Sequence, residues 1–293
     1  MDIETVKGRP PFPFATIGVA MAFSSTRLEA VLGEAKILAT TLHARLLLIH
    51  IGKRTAEKEN ILHDLQQRLN LDALDTQIIW QEGNPLKTLL EICKQHLVDL
   101  LILRAKRREK GFSYYLGSVV RGLSRAAKCS LLLLTEPRVS GTSFKKLVVS
   151  GVQNPKTLFT IQTVNYFATH VGATEITVVT ESDQQGVAMA MAYDSTANQN
   201  TLVKELLSSQ EANQLHALVS RCGPCEIKVS EKIIIGRPGY AIRQYAEKEG
   251  ADLLVINSPD AKYGLIDRIF THDMEFILEN LPCNLLIVHS RVS

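Results

Sequence analysis

EGNPLKTLLEICKQHLVDLLILRA at residues 82–105 and IGRPGYAIRQYAEKEGADLLVINS at residues 235–258 are one pattern written twice. Gly83 aligns with Gly236 and Asp99 with Asp252 at a constant shift of 153 residues. Each stretch reads as a Gly-x-Pro turn, a helix with a polar face and then an apolar strand. Further on, AAKCSLLLLTE at 126–136 aligns with NLPCNLLIVHS at 280–290, with Cys129 on Cys283 at a shift of 154. The chain is therefore expected to hold two copies of one unit, at 14–138 and 144–290, joined through the Pro-, Gly- and Ser-containing EPRVSGTS at 136–143.

Around these stretches the pattern alternates in kind. TIGVAMAF, ARLLLIHI, TQIIW, VDLLILRA and SLLLLTE are short apolar runs, and amphipathic segments such as TAEKENILHDLQQRL lie between them. The second copy follows with KLVVSGV, EITVVTE, CEIKVSEKIII, ADLLVIN and NLLIVHS. Near-continuous apolar strands separated by helices are what a parallel sheet covered on both faces requires. The fold class is thus α/β: two tandem, doubly wound, five-stranded parallel-sheet domains.

Composition narrows the function. The 293 residues carry a net charge of only +3, which excludes the broad positive field of a nucleic-acid-binding domain. No run approaches the length of a membrane span, and the amino terminus, with Pro10, Pro11 and Pro13, has neither the charge nor the apolar core of a secretory signal. Five scattered cysteines suit a reducing compartment, so the expected location is cytoplasmic.

Cys222-Gly-Pro-Cys225 has the spacing of a thioredoxin-type redox site. Such a site needs its first thiol where a strand hands over to a helix amino terminus. Here a helix, TLVKELLSSQEANQLHALVSR, comes before the cysteines and a strand comes after, so Cys222 falls at a helix carboxyl end, where the dipole raises a thiol pKa. Gly223 reads as the helix stop. A redox- or zinc-responsive role for Cys222 and Cys225 stays as an alternative. His272, Asp273, Glu275 and His289 invite a metal reading, but an acid in a helix's first turn is ordinary dipole complementation.

Ligands of an open doubly wound sheet lie beyond the strand carboxyl ends at the switch point. In the first copy that selects two loops: FSST at 23–26, with Ser24 and Ser25, and RAKRREKGFSYYLGS at 104–118. The latter carries Arg104, Lys106, Arg107, Arg108 and Lys110 and ends in Gly117-Ser118 at the start of a helix, a geometry suited to phosphate.

At these residues the chain resembles a tandem universal stress protein over nearly everything after residue 14: Gly83-x-Pro, VDLLILRA and LGSVVRGLSRAAKCSLLLL, repeated as Gly236-x-Pro, ADLLVINS and DMEFILENLPCNLLIV. The resemblance implies an adenine nucleotide alpha hydrolase-like fold whose two domains pack as a pseudo-dimer through their final strands. It also implies a stress-response or regulatory protein that is not an enzyme, and a loop after the fourth strand that cradles the phosphates of ATP or AMP. On that pattern Gly117 and Ser118 meet phosphate, Arg104 and Arg107 stand where the family has glycines, and Ser24 or Ser25 contributes from the opposite loop in place of the family's Asp. In the second copy Thr271-His272 replace Gly-Ser, which implies a site degenerate for nucleotide. The rival reading is a ligand-free protein-interaction module related to transporter-associated stress domains. A protein partner and a homodimer are compatible with either reading.

Overall fold

The computed structural model describes residues 13–23, 27–107, 114–115, 117–141, 144–182, 197–223, 225–259 and 274–290. The first half runs β1 (Thr16–Ala20), α1 (Leu28–Thr41), β2 (Arg45–Ile51), α2 (Ala56–Leu69), β3 (Thr76–Gln81), α3 (Pro85–Gln95), β4 (Leu100–Arg104), a small β5–β6 hairpin (Lys106–Arg107, Tyr114–Tyr115), α4 (Ser118–Ala126) and β7 (Ser130–Leu134). The second runs β8 (Lys146–Ser150), α5 (Thr157–Val171), β9 (Glu175–Ser182), α6 (Ala197–Ser220), β10 (Lys228–Ile235), α7 (Tyr240–Lys248), β11 (Leu253–Asn257), a short helix at 274–279 and β12 (Asn284–Val288).

Ten of these strands form one sheet in the order β10-β9-β8-β11-β12-β7-β4-β1-β2-β3. Within each half every pairing of this sheet is parallel, and the halves meet through the antiparallel pair β7–β12. Each half thus has the same strand order, with its first and fourth strands side by side at the centre. Among the described residues no helix is long and apolar enough to cross a membrane.

Local signals set the helix starts. Thr55 accepts from the Lys58 N–H at the start of α2, with Glu57 and Glu59 in its first turn, and Asn84 accepts from the Lys87 N–H at α3, where Pro85 occupies the first turn. Asn70 ends α2 in the left-handed conformation that Asn tolerates.

The repeated residues are explained by contacts that occur in both halves. Asp99, 1% exposed, accepts from the Thr16 N–H at 2.9 Å, and Asp252 accepts from the Lys146 N–H at 2.9 Å. Each carboxylate ties the start of a fourth strand to the start of a first. Gly83 and Gly236 sit at φ +144° and +150°, and a Cβ on either would lie 2.7 Å from Thr88 Oγ1 or 2.9 Å from Ala241 Cβ. Only glycine fits that turn.

The seam has approximate two-fold symmetry. Leu132 pairs with Leu286, its own counterpart at the 154-residue shift, so the pseudo-dyad passes through this pair. Thr135 N–H donates to Asn284 Oδ1 at 2.9 Å, and His289 N–H donates to Ser130 Oγ at 3.1 Å, one contact made twice. Alternation along the strands sends Leu100, Ile102, Leu132, Leu253, Val255 and Leu286 to one face, and Leu101, Leu103, Leu131, Leu254, Leu285 and Ile287 to the other. Each face therefore carries a single apolar core that runs through both halves.

Candidate functional site

In the first half the switch point lies between β1 and β4, whose carboxyl ends bring together Met21–Phe23, Arg104 and the start of α4. Arg104 ends β4 half-buried. In the basic stretch after it, where the sequence reads as loop, Lys106 pairs with Tyr115 and Arg107 with Tyr114 in a two-stranded hairpin. Gly117 is the N-cap of α4 in extended backbone (φ −67°), and a Cβ there would meet nothing within 4 Å. Ser118 follows as the exposed first helical residue, and no acidic side chain stands in the first turn. α4 is held by close packing on α3, since a Cβ on Gly122 would lie 2.5 Å from Leu86. The structure thus brings Arg104, the Arg107 backbone, Gly117 and Ser118 to one end of the sheet. Ser24, Ser25, Thr271 and His272 lie outside the described residues.

Sequence reasoning missed an aromatic cluster on the same end. Phe23 stacks on Trp80 with ring centres 5.5 Å apart, and His50 meets both edge-on at 4.9 and 5.1 Å. His50 is 8% exposed, and burial, followed by the Lys58 charge, pushes its pKa down although its bond to the Met21 carbonyl opposes this. The neutral ring has a definite tautomer: Nδ1–H donates to the Met21 carbonyl at 3.2 Å and Nε2 accepts from Lys58 Nζ at 3.2 Å. Lys58 Nζ also donates to the Lys53 carbonyl. The three rings come from the ends of β1, β2 and β3, and only the register of those strands brings them together.

The second half differs at the same place. Lys156, 8% exposed, donates from Nζ to the Ser258 carbonyl at 2.9 Å, and Asn257 Nδ2 donates to Thr157 Oγ1 at 2.9 Å. Both bonds bridge the β8–α5 connection to the end of β11, across the switch point. Glu181, at the end of β9, accepts from the Gly239 and Ile242 N–H groups at 3.0 and 2.8 Å, so a carboxylate of the chain itself occupies the start of α7. Beside this bridge a cavity of about 340 Å³ opens between the β8–α5 connection and α6, lined by Gly151, Asn154, Glu211, Leu215 and Arg221.

Cys222 lies beyond the last turn of α6, its Sγ–H donating to the Leu218 carbonyl at 3.3 Å. Burial pushes its thiol up to about 11 despite the neighbouring Arg221. Gly223 follows at φ +83° as the helix stop, and Cys225 is half-buried. Among the described residues no group of three His, Cys, Asp or Glu side chains is placed to hold a metal. Glu275 instead accepts from Arg121 Nη1 at 2.7 Å and from Arg125.

Taken together, the strand order and the seam define a doubly wound α/β protein with its unit present twice around a pseudo-dyad. Residues 168–289 match the model of the Universal stress protein family. A functionally unknown protein of Pseudomonas aeruginosa PAO1 has the same fold (TM-score 0.71, 16% identity, 95% of this chain and 93% of that one). So does a universal stress protein of Archaeoglobus fulgidus DSM 4304 (TM-score 0.65, 13% identity, 96% and 98%). No curated protein sequence matches the chain significantly.

Proposed function

We propose that this is a non-catalytic regulatory protein of the universal stress protein type, cytoplasmic, that binds a phosphate-bearing ligand of the ATP or AMP class in its first half. The observation that carries the reading is the start of α4 in the first half; its counterpart at Thr271-His272 lies outside the described residues. In the second, side chains bridge the switch point through Lys156–Ser258 and Asn257–Thr157. In the first, the start of α4 at Gly117-Ser118 carries neither a capping side chain nor an acid. Helix N–H groups and the dipole there favour an anion. The Arg104 guanidinium, at the end of β4, is the proposed bidentate donor for phosphate oxygens in place of a glycine cradle, with Arg107 as the second basic residue of the sequence pattern. Ser24 and Ser25, which lie outside the described residues, are the contacts proposed from the opposite loop.

Gly117→Val provides a clean test, because its side chain enters open space in the protein but blocks the approach of a phosphate. Titration calorimetry with ATP, ADP and AMP should show binding to the wild type and at least a tenfold loss in Gly117→Val, with the two melting alike in the absence of nucleotide. No heat and no thermal stabilisation by any of the three at millimolar concentration rejects the nucleotide site. That result would favour the second reading, a ligand-free protein-interaction module, which the Phe23–His50–Trp80 cluster supports by filling space beyond β1, β2 and β3.

A further inference from the structure

The ten-stranded sheet ends in two outer edges, β3 and β10, and they are built differently. β10 carries Lys228, Glu231 and Lys232, the charges that blunt an edge against pairing. β3, TQIIWQ, has no charge and no proline over its six residues. Its register fixes which backbone groups point outward. Leu46 N–H donates to the Asp75 carbonyl and Gly52 N–H to the Gln81 carbonyl, so Gln77, Ile79 and Gln81 face β2 while Thr76, Ile78 and Trp80 turn their N–H and C=O groups to the edge.

We propose that β3 is a self-association edge, on which a second copy of this chain adds its own β3 antiparallel about a two-fold axis through Ile78. In that register Ile78 opposes Ile78 of the second copy, Thr76 opposes Trp80, and Gln77 opposes Ile79. The flanking Asp75 meets Gln81, so no like charges are juxtaposed. Ile78 and Trp80 lie on one face as partly buried members of its core, so the paired strands set aromatic against β-branched side chains across the new junction. The chain already makes a junction of this geometry, because β7 and β12 join its two halves edge to edge and antiparallel. That internal join consumes the fifth-strand edges and leaves β3 as the unguarded one.

Sedimentation equilibrium should give a concentration-dependent mass rising towards twice the 32.5 kDa of the chain. Ile78→Lys, which places two ammonium groups opposite each other at the axis, should weaken the dimer at least tenfold, whereas Lys232→Glu on β10 should leave the mass unchanged. A gain-of-function variant keeps the test independent of any folding defect. Ile78→Cys puts two thiols on an antiparallel hydrogen-bonded pair with Cα atoms about 5.5 Å apart, within disulfide reach. It should give a disulfide-linked dimer on a non-reducing gel, whereas wild type and Gln81→Cys should not. A single-chain mass for the wild type throughout the concentration range, a dimer that survives Ile78→Lys, or cross-linking at Gln81→Cys in place of Ile78→Cys overturns the assignment.

Discussion

Arg121 and Glu275 occupy equivalent positions of the two copies, 154 residues apart, and meet at 2.7 Å. A two-fold axis brings like to like, so identical residues here would repel or stand idle. Opposite charges at the same place turn the symmetry into an attraction, which Arg125 extends by donating to the other Glu275 oxygen. The copies have diverged at the axis in a complementary way, and a covalently linked pair can do so where two identical chains cannot.

Glu275→Ala should cost about 1 kcal/mol in urea unfolding, because Arg121 and Arg125 are 33% and 56% exposed and solvent screens what they lose. A double-mutant cycle with Arg121→Ala should give a coupling of about 0.5 kcal/mol or more. Strict additivity of the two variants would show that the contact contributes nothing.

The paired aspartates should be unequal. Asp99→Ala leaves the Thr16 N–H without its acceptor in a site only 1% exposed, and should lower stability by about 2–3 kcal/mol. Asp252 is only half-buried, so Asp252→Ala should cost about 1–2 kcal/mol. Equal midpoints for wild type and Asp99→Ala in denaturant would contradict the assigned contact.

His50 should titrate below 6.5 when followed by NMR. Its folded-state pKa is depressed, so the folded protein binds the proton less well than the unfolded chain. The stability this contributes is complete above 6.5 and is lost as pH falls through that value towards the lower folded one. A midpoint at or above 6.5 would mean that the ring is protonated beside Lys58, against the geometry.

Cys222 is expected to be a poor nucleophile at neutral pH. Its alkylation rate should keep rising through pH 9–10, as the thiolate fraction grows towards a pKa of about 11. The raised value also makes stability fall with pH between about 9 and about 11, since the unfolded chain releases the proton first. A rate that levels off near pH 7 would restore the redox reading.

What the sequence made legible was whatever the copies share. Gly83 and Gly236, or Asp99 and Asp252, stand out because one backbone constraint acts twice, and an alignment of the chain with itself exposes it. Where the copies differ, reading was blind. Lys156 reads as a surface lysine, yet it reaches buried to Ser258 across 102 residues of chain. Phe23, His50 and Trp80 sit on three separate strand ends, and nothing in their local patterns signals that strand register stacks them. The hairpin within the basic stretch escaped because strands of two residues have no detectable periodicity. For the proposed site the helix start at Gly117-Ser118 was readable from residue type and spacing, whereas the side-chain bridges that distinguish the second half depend on long-range contacts.

The apolar layers on the two faces of the sheet each run unbroken from one half into the other. Cutting the chain at the linker would bare the leucines of β7 and β12 on both faces at once, along with an open antiparallel edge. The molecule should therefore melt in a single cooperative step, with calorimetric and van't Hoff enthalpies in agreement. Neither half is then an autonomous folding unit: ancestry wrote two modules, and thermodynamics counts one.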